Sequence, residues 1–400
     1  MRVLILTNIF PSDPTWFRGN FVLDQAQSLR DRGCDVSIAV LQAIAPPGSE
    51  RRRSTKIDVE AYTKLNLHVD EVRYFNLPRN ALGVMAAPLI YRQVKRRLRS
   101  IAQRFGADVV HSHNEQIGYV GVRLARDLRI PCGVTLHGIN APWMFDTEAK
   151  RQQLRWTLEN SGWVFLVGPS IVPHFQSYVA SAHNFRVVPN GIRVPENISP
   201  SQRIRRKRPW RIIGVGVLQE GKGYQFLLRA LADIERRTPG LMELVIVGGG
   251  AYESALRRLI SDLEIGDITY MTGELNHPKA LSEVAASDIF CLPSFKEPFG
   301  LVYGEAMALG KITIGCRTQG PEMFIRDGVN GFLVEPCDPP SITKVLMSIV
   351  SDGGLDKIRE TARSYVQQNL QWAQNAERVI TAYHELLASR NEQQSVLDRA

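Results

Sequence analysis

The stretch "RIIGVGVLQEGKGYQFLLRALADIERR" (211–237) joins a β-branched run, a glycine-rich turn and an apolar pattern of helical period. Its spacing predicts strand, loop and helix, and a strand followed at once by a helix is the opening of a crossover onto a parallel neighbour. The loop comes close to a triphosphate-binding loop. Gly216, Gly221 and Lys222 stand where G-x-x-x-x-G-K-[ST] requires them, but Gly223 takes the place of the hydroxyl that would hold magnesium. The strand "ELVIVGGG" (243–250) then offers Gly248 where an ATPase needs an acidic metal ligand. What remains is a backbone able to approach a phosphate closely, with Lys222 as a point charge beside it.

The same alternation runs through the whole chain. Candidate strands lie at 2–7, 35–40, 108–112, 132–137, 163–168 and 185–189 in the first half, and at 211–216, 243–248, 267–273, 288–293 and 311–315 in the second. Helical patterns separate them, so the fold class is α/β, with two doubly wound, Rossmann-like domains. The polar, basic, proline-containing "VPENISPSQRIRRKRPW" (194–210) marks the passage between halves. The expected domains are 1–195, a linker at 196–209, 210–365, and a C-terminal helix at 366–390 that packs back on the first domain. Ligands of such sheets bind beyond the carboxyl ends of the strands, which predicts a substrate cleft between the domains.

Composition narrows the class. Four hundred residues with 44% hydrophobic and 22% charged residues are those of a globular chain with ample cores. The five cysteines, Cys34, Cys132, Cys291, Cys316 and Cys337, are scattered without a C-x-x-C pair and read as reduced thiols of a cytoplasmic protein. No apolar run reaches membrane-spanning length, and the N-terminal one stops at Pro11. A net charge of +9 gathers at 91–104 and 203–211. No nucleic-acid module accompanies it, so anionic lipid or phosphorylated substrates suit these stretches, the other reading being solvated surface charge.

A second constellation is "SFKEPFGLVYGEAMALG" (294–310), with Glu297 and Glu305 separated by seven residues. Pro298, Phe299 and Gly300 make a turn, and "LVYGEAMAL" reads as a helix whose free N–H groups attract an anion. The carboxylates would repel a bare phosphate but accept hydrogen bonds from sugar hydroxyls. One stretch can thus take both halves of a sugar diphosphate.

With these motifs the chain resembles the retaining glycosyltransferases of the GT-B fold, in the glycogen-synthase-like family 4 (glycosyl transferases group 1). The similarity covers nearly the whole chain: "TNIFPSDPTWFRGNFVLDQAQSLRDRGCDVSIAV" (7–40), "TLHG" (135–138), "VVPNGI" (187–192), the lysine loop, "IVGGG" (246–250), "TGEL" (272–275), the paired-glutamate segment and "GPEMFIRDGVNGFLVEP" (320–336). The resemblance implies that Lys222 binds the donor diphosphate and Glu305 the ribose. Glu297 would contact the donor sugar, assisted by the N–H groups of Phe299, Gly300 and Leu301. Leu275 would meet the base through its backbone, Gly19 would let the N-terminal loop approach the diphosphate, and His137 would line the reaction centre. Such enzymes use no bound metal or other cofactor. The expected partners are a nucleotide diphosphate sugar and a sugar or lipid-linked saccharide acceptor, in envelope or exopolysaccharide synthesis.

One position departs from the pattern: many relatives carry an arginine where this chain has Val217. Lys296 is a candidate replacement, its other reading being plain solvent exposure. His113 is expected on the acceptor side; with His111 it lacks a third ligand for zinc. Asn190–Gly191 is a turn signal. Two rival readings remain, a nucleotide-sugar 2-epimerase and a non-catalytic nucleotide-sugar-binding subunit. Finally, Leu89, Ile90, Val94, Leu98, Ile101 and Phe105 share one helical face, with Arg92, Lys95, Arg96, Arg97, Arg99 and Arg104 around it. That pattern suits a helix at an anionic membrane surface, or one packed on the first sheet.

Overall fold

The computed structural model describes residues 1–13, 19–44, 57–75, 85–139, 147–195, 197–204, 207–351 and 354–397, with side chains to residue 389. Its strands fall in two sheets. The first holds β1 (Arg2–Thr7), β2 (Asp35–Ile44), β3 (His68–Phe75), β4 (Val109–His113), β5 (Cys132–Leu136), β6 (Trp163–Leu166) and β7 (Phe185–Val187), in the order β3-β2-β1-β4-β5-β6-β7. The second holds β8 (Trp210–Val215), β9 (Met242–Val247), β10 (Thr269–Gly273), β11 (Ile289–Cys291), β12 (Ile312–Cys316) and β13 (Phe332–Val334), in the order β10-β9-β8-β11-β12-β13. Every pairing is parallel. Helices cover both faces of such sheets, which is why β4, β5, β9 and β12 are buried along their whole length. The strand order reverses once in each sheet, between β1 and β4 and between β8 and β11.

Two strands escape the sequence pattern. The edge strand β3, "HVDEVRYF", alternates buried and exposed residues and carries three charges, so it lacks the apolar run by which its buried neighbours announce themselves. β13 is only three residues long.

The chain divides into two compact units: Met1–Gly191 together with the chain from Trp372 onward, and Ile192–Gln371. The crossing at Gly191–Ile192 precedes the expected linker at 196–209. That segment is held by the second unit, where Ser201 donates its N–H to the Ser282 carbonyl at 2.9 Å and its hydroxyl to Glu283 at 2.7 Å. The expected helix at 366–390 is two helices. Leu355–Asn369 closes the second unit, and Trp372–Leu397 returns to the first, where Ala376, Val379, Ala382 and Tyr383 enter the core with Val3, Ile5, Ile38 and Phe165. Gly191 must be glycine for this return, because a Cβ there would collide with the Trp372 backbone.

The two basic stretches are partly consumed by packing. In the helix Ala86–Phe105, Ile90, Val94, Leu98 and Ile101 are buried, so the apolar stripe belongs to the core. Arg97 pairs with Asp70 at 3.1 Å and Arg99 with Asp127 at 3.4 Å; Arg92, Arg96 and Arg104 make no ion pair among the described residues. In the second stretch Arg211 is buried against Glu243 at 2.6 Å and Arg208 pairs with Glu235. No described helix is long and apolar enough to cross a membrane. All five cysteines are free thiols and all but Cys337 are buried; burial pushes Cys132 and Cys316 up to about 12.

Candidate active site

In the second unit the two motifs meet at the reversal of strand order, because the lysine loop follows β8 and the glutamate loop follows the adjacent β11. This is the end of a doubly wound sheet where ligands collect. The loops are tied together through the backbone: Phe295 donates its N–H to the Gly221 carbonyl at 3.0 Å. Lys222 Nζ then donates to Glu297 Oε2 at 2.7 Å, from a side chain 23% exposed to one only 8% exposed. The ammonium is therefore accessible and positioned, while the carboxylate behind it is nearly out of water.

Gly223 shows why this loop departs from a triphosphate loop. It begins the helix Tyr224–Arg237 in the left-handed conformation, φ +75°, and a Cβ would run into the Pro293 carbonyl oxygen. A serine or threonine at 223 is therefore excluded by the way the two loops pack.

The glutamate loop is fixed from the other side. Glu297 donates its N–H to Gln319 Oε1 at 3.0 Å, and its carbonyl accepts the Gly320 N–H at 2.7 Å. Phe299 is buried and Gly300 begins the helix Leu301–Ala308, so the backbone at 299–301 sits at a helix start. One turn along, Glu305 accepts a hydrogen bond from His277 Nε2 at 2.7 Å. His277 opens the helix His277–Ala285, two residues after the half-buried Leu275, so base-side and ribose-side candidates are linked by this pair. Lys296 is exposed. Its stem would touch a Cβ placed on Gly221, while its Nζ lies 5.9 Å from the centre of the Phe295 ring.

In the first unit, β4 and β5 are neighbours, and their ends bring His113 and His137 together: His113 Nδ1 and His137 Nε2 share a hydrogen bond of 2.8 Å. The rings lie nearly parallel with centroids 5.1 Å apart, and Phe21 covers the His137 ring at 4.2 Å. Phe21 lies in the first turn of the helix Asn20–Asp31, which Gly19 precedes. His111 is bonded elsewhere, to Tyr383 through Nδ1 and to Thr135 Oγ1 through Nε2 at 2.7 Å. Burial pushes His111 and His137 down to about 3 and His113 well below the ordinary imidazole value, with neighbouring imidazoles adding to the shift of His113 and His137. Neither His113 Nε2 nor His137 Nδ1 has a hydrogen-bond partner among the described residues. No three His, Cys, Asp or Glu side chains among the described residues are grouped so as to hold a metal ion.

Lys222 and Glu297 thus stand in contact, Glu305 lies one turn into the helix that follows Glu297, and His113 pairs with His137. Gln319 and His277 are additions that sequence reasoning did not single out. The signal for Gln319 was its place immediately before the motif "GPEMF"; the signal for His277 was its place just after "TGEL".

The comparisons with known proteins agree from both ends of the chain. The family described as Glycosyltransferase Family 4 matches residues 19–194, and that described as Glycosyl transferases group 1 matches residues 196–371. D-inositol 3-phosphate glycosyltransferase of Corynebacterium jeikeium is 30% identical over 305 residues, 70% of this chain and 72% of the relative. N-acetyl-alpha-D-glucosaminyl L-malate synthase of Bacillus anthracis is 25% identical over 341 residues, 81% and 87% of the two chains. Among solved structures, sucrose-phosphate synthase of Thermosynechococcus elongatus superposes with a TM-score of 0.76 at 20% identity, covering 97% of this chain and all of that one. The Anabaena protein HepE in complex with UDP-glucose gives 0.70 at 19% identity, again covering 97% of this chain and all of that one.

Proposed function

Because the chain belongs to the group 1 glycosyltransferases of family 4, with the GT-B fold of two Rossmann-like sheets, it transfers a sugar, and we propose that it is a retaining, metal-independent enzyme moving a hexose from a nucleotide diphosphate sugar to an acceptor hydroxyl. The observation that carries this reading is the Lys222–Glu297 contact at the reversal of the second sheet. It sets a cation for phosphate beside a carboxylate for sugar hydroxyls, and a bare phosphate site would have no use for the second.

In this reading the nucleotide leaves the anomeric carbon, the acceptor oxygen attacks from the face it vacates, and the departing phosphate oxygen takes the acceptor proton. Lys222 and the N–H groups of Phe299, Gly300 and Leu301 offset the charge that grows on the leaving diphosphate, the role a metal would otherwise fill. Glu305 holds the ribose, Leu275 the base through its backbone, and Gly19 lets its loop reach the diphosphate. His137 and His113 serve the acceptor side. HepE was solved with UDP-glucose, which makes it the first donor to try. We further read the exposed Arg92, Arg96 and Arg104 as the contact of the first unit with the anionic inner face of the cytoplasmic membrane. There the acceptor would be a lipid-linked saccharide of envelope or exopolysaccharide synthesis.

The test is to incubate the protein with UDP-glucose and other nucleotide sugars, with and without lipid-linked acceptors and with a chelator throughout. The reading expects acceptor-dependent product that keeps the donor's anomeric configuration, at a rate the chelator does not change. Inverted product, product formed without acceptor, or activity abolished by chelator and restored by manganese would each refute the corresponding part.

A further inference from the structure

Glu305 is held from one side. His277 Nε2 donates to Glu305 Oε1 at 2.7 Å, and no hydrogen bond among the described residues reaches Glu305 Oε2. An ionised carboxylate has only lone pairs to offer, so His277 carries a proton on Nε2 whether its ring is neutral or charged. The direction of this bond is therefore fixed by the chemistry of the acceptor. With side chains 25% and 14% exposed, the two residues keep contact with solvent, so a ligand can reach them.

Both residues project from fixed backbone. Asn276 caps the helix His277–Ala285 by accepting the Lys279 N–H at 3.1 Å, and Pro278 follows in its first turn. The helix Leu301–Ala308 is anchored by the buried Tyr303, whose hydroxyl donates to the Leu292 carbonyl at 2.6 Å. A glutamate side chain on such a helix would still turn about its own torsions, each with its set of rotamers. The bond from His277 removes that freedom before any ligand arrives. It also ties Glu305 to the segment of Leu275, two residues before His277.

We propose that His277 is a positioning residue for nucleotide recognition: it occupies Oε1 of Glu305 and leaves Oε2 aimed at the ribose hydroxyls. This rests on the reading of Glu305 as the ribose residue. The nucleotide then meets a carboxylate already ordered, and the cost of ordering it does not fall on binding. Without His277 the same carboxylate is present but unaimed, so the loss should fall on the ribose hydroxyls and not on the rest of the nucleotide.

Calorimetry of the full protein reads this without any acceptor, using UDP, GDP and ADP, each beside its 2′,3′-dideoxy analogue. For the nucleotide that binds most tightly, the wild type should prefer the ribose form by about tenfold or more, as expected when hydrogen bonds to a charged group are lost. H277L should weaken that ribose form about five- to tenfold and leave the dideoxy form within about twofold, so that most of the preference disappears. H277A serves in its place should H277L not fold. H277Q, whose amide donates from nearly the position of Nε2, should restore the preference. E305A should show none, and adding H277L to it should change nothing further. A histidine variant that keeps the wild-type preference, or that weakens both forms by the same factor, would overturn the proposal. A wild type that binds ribose and dideoxy forms alike, or binds none of them, would instead remove the ribose reading of Glu305 on which the proposal rests.

Discussion

Lys222 answers to two partners. At rest it leans on Glu297; with donor bound it is proposed to meet the charge that grows on the departing diphosphate. Interactions that strengthen as the reaction proceeds appear in turnover, so Lys222→Ala is expected to lower kcat by about 10²–10³. Glu305→Ala removes a ribose contact made equally before and during reaction, and is expected to act mainly on donor KM. Steady-state kinetics of the two variants, varied in donor, distinguish these patterns, and the reverse pattern would exchange the roles. Gly223→Ser restores the sequence of a triphosphate loop, and the structure expects it to fail. The left-handed backbone and the Pro293 carbonyl together make it destabilising by roughly 3 kcal/mol or more. A serine variant that melts with the wild type would show the loop to be less tightly packed. Lys222, Glu297 and Glu305 could be found in the sequence because each lies in a short motif whose glycines and helix start are neighbours along the chain. The partners that hold two of them could not: Gln319 is 22 residues beyond Glu297, and His277 is 28 residues before Glu305. Only the closing of a parallel sheet brings such residues together.

At the scale of elements, the helix Ala86–Phe105 separates two uses that its sequence presented as one. Its apolar stripe is spent on the core, so Leu98→Ala, at a fully buried position, is expected to cost about 2–5 kcal/mol in a denaturant titration. A helix lying in lipid on that face would lose little on folding. Charge alone is then left for a membrane, and not all of it, since Asp70 and Asp127 already hold Arg97 and Arg99. Changing Arg92, Arg96 and Arg104 to Gln should leave stability nearly unaltered, as exposed charges do. It should abolish co-sedimentation with anionic vesicles at low salt, at about 1 kcal/mol per charge removed. Equal sedimentation of variant and wild type, or none by either, would remove this face as the anchor. Helical period told which residues share a face, but not what covers that face, because a sheet and a bilayer offer the same apolar surface. β3 shows the opposite case: its charges hid a strand that only pairing with β2 makes evident.

For the molecule as a whole, His111, His113 and His137, clustered in the first unit, tie stability to acid. Unfolded, each would titrate near 6.5; folded, each stays neutral far below that, with His111 and His137 down to about 3. Between those limits the unfolded chain binds more protons than the native one, so stability is complete above about 6.5 and is lost as pH falls toward 3. His111→Gln, which removes one such group, should flatten the dependence of the urea midpoint on pH between 6.5 and 5, and identical slopes would show that His111 titrates normally in the fold. The broad architecture was legible from alternation alone. The exact crossings at Gly191–Ile192 and Gln371–Trp372 were not, because they depend on a glycine making room for a tryptophan far along the chain. That return has a consequence for how the protein is made. On the ribosome the strands of the first sheet emerge before the second unit, yet their core lacks Ala376, Val379, Ala382 and Tyr383 until that whole unit has been made. The roughly 180 intervening residues take about 10–40 s to synthesise. The unit that is begun first is therefore finished after the second, and a nascent chain stalled at Gln371 carries a second unit complete in sequence and a first whose apolar surface stays open to chaperones.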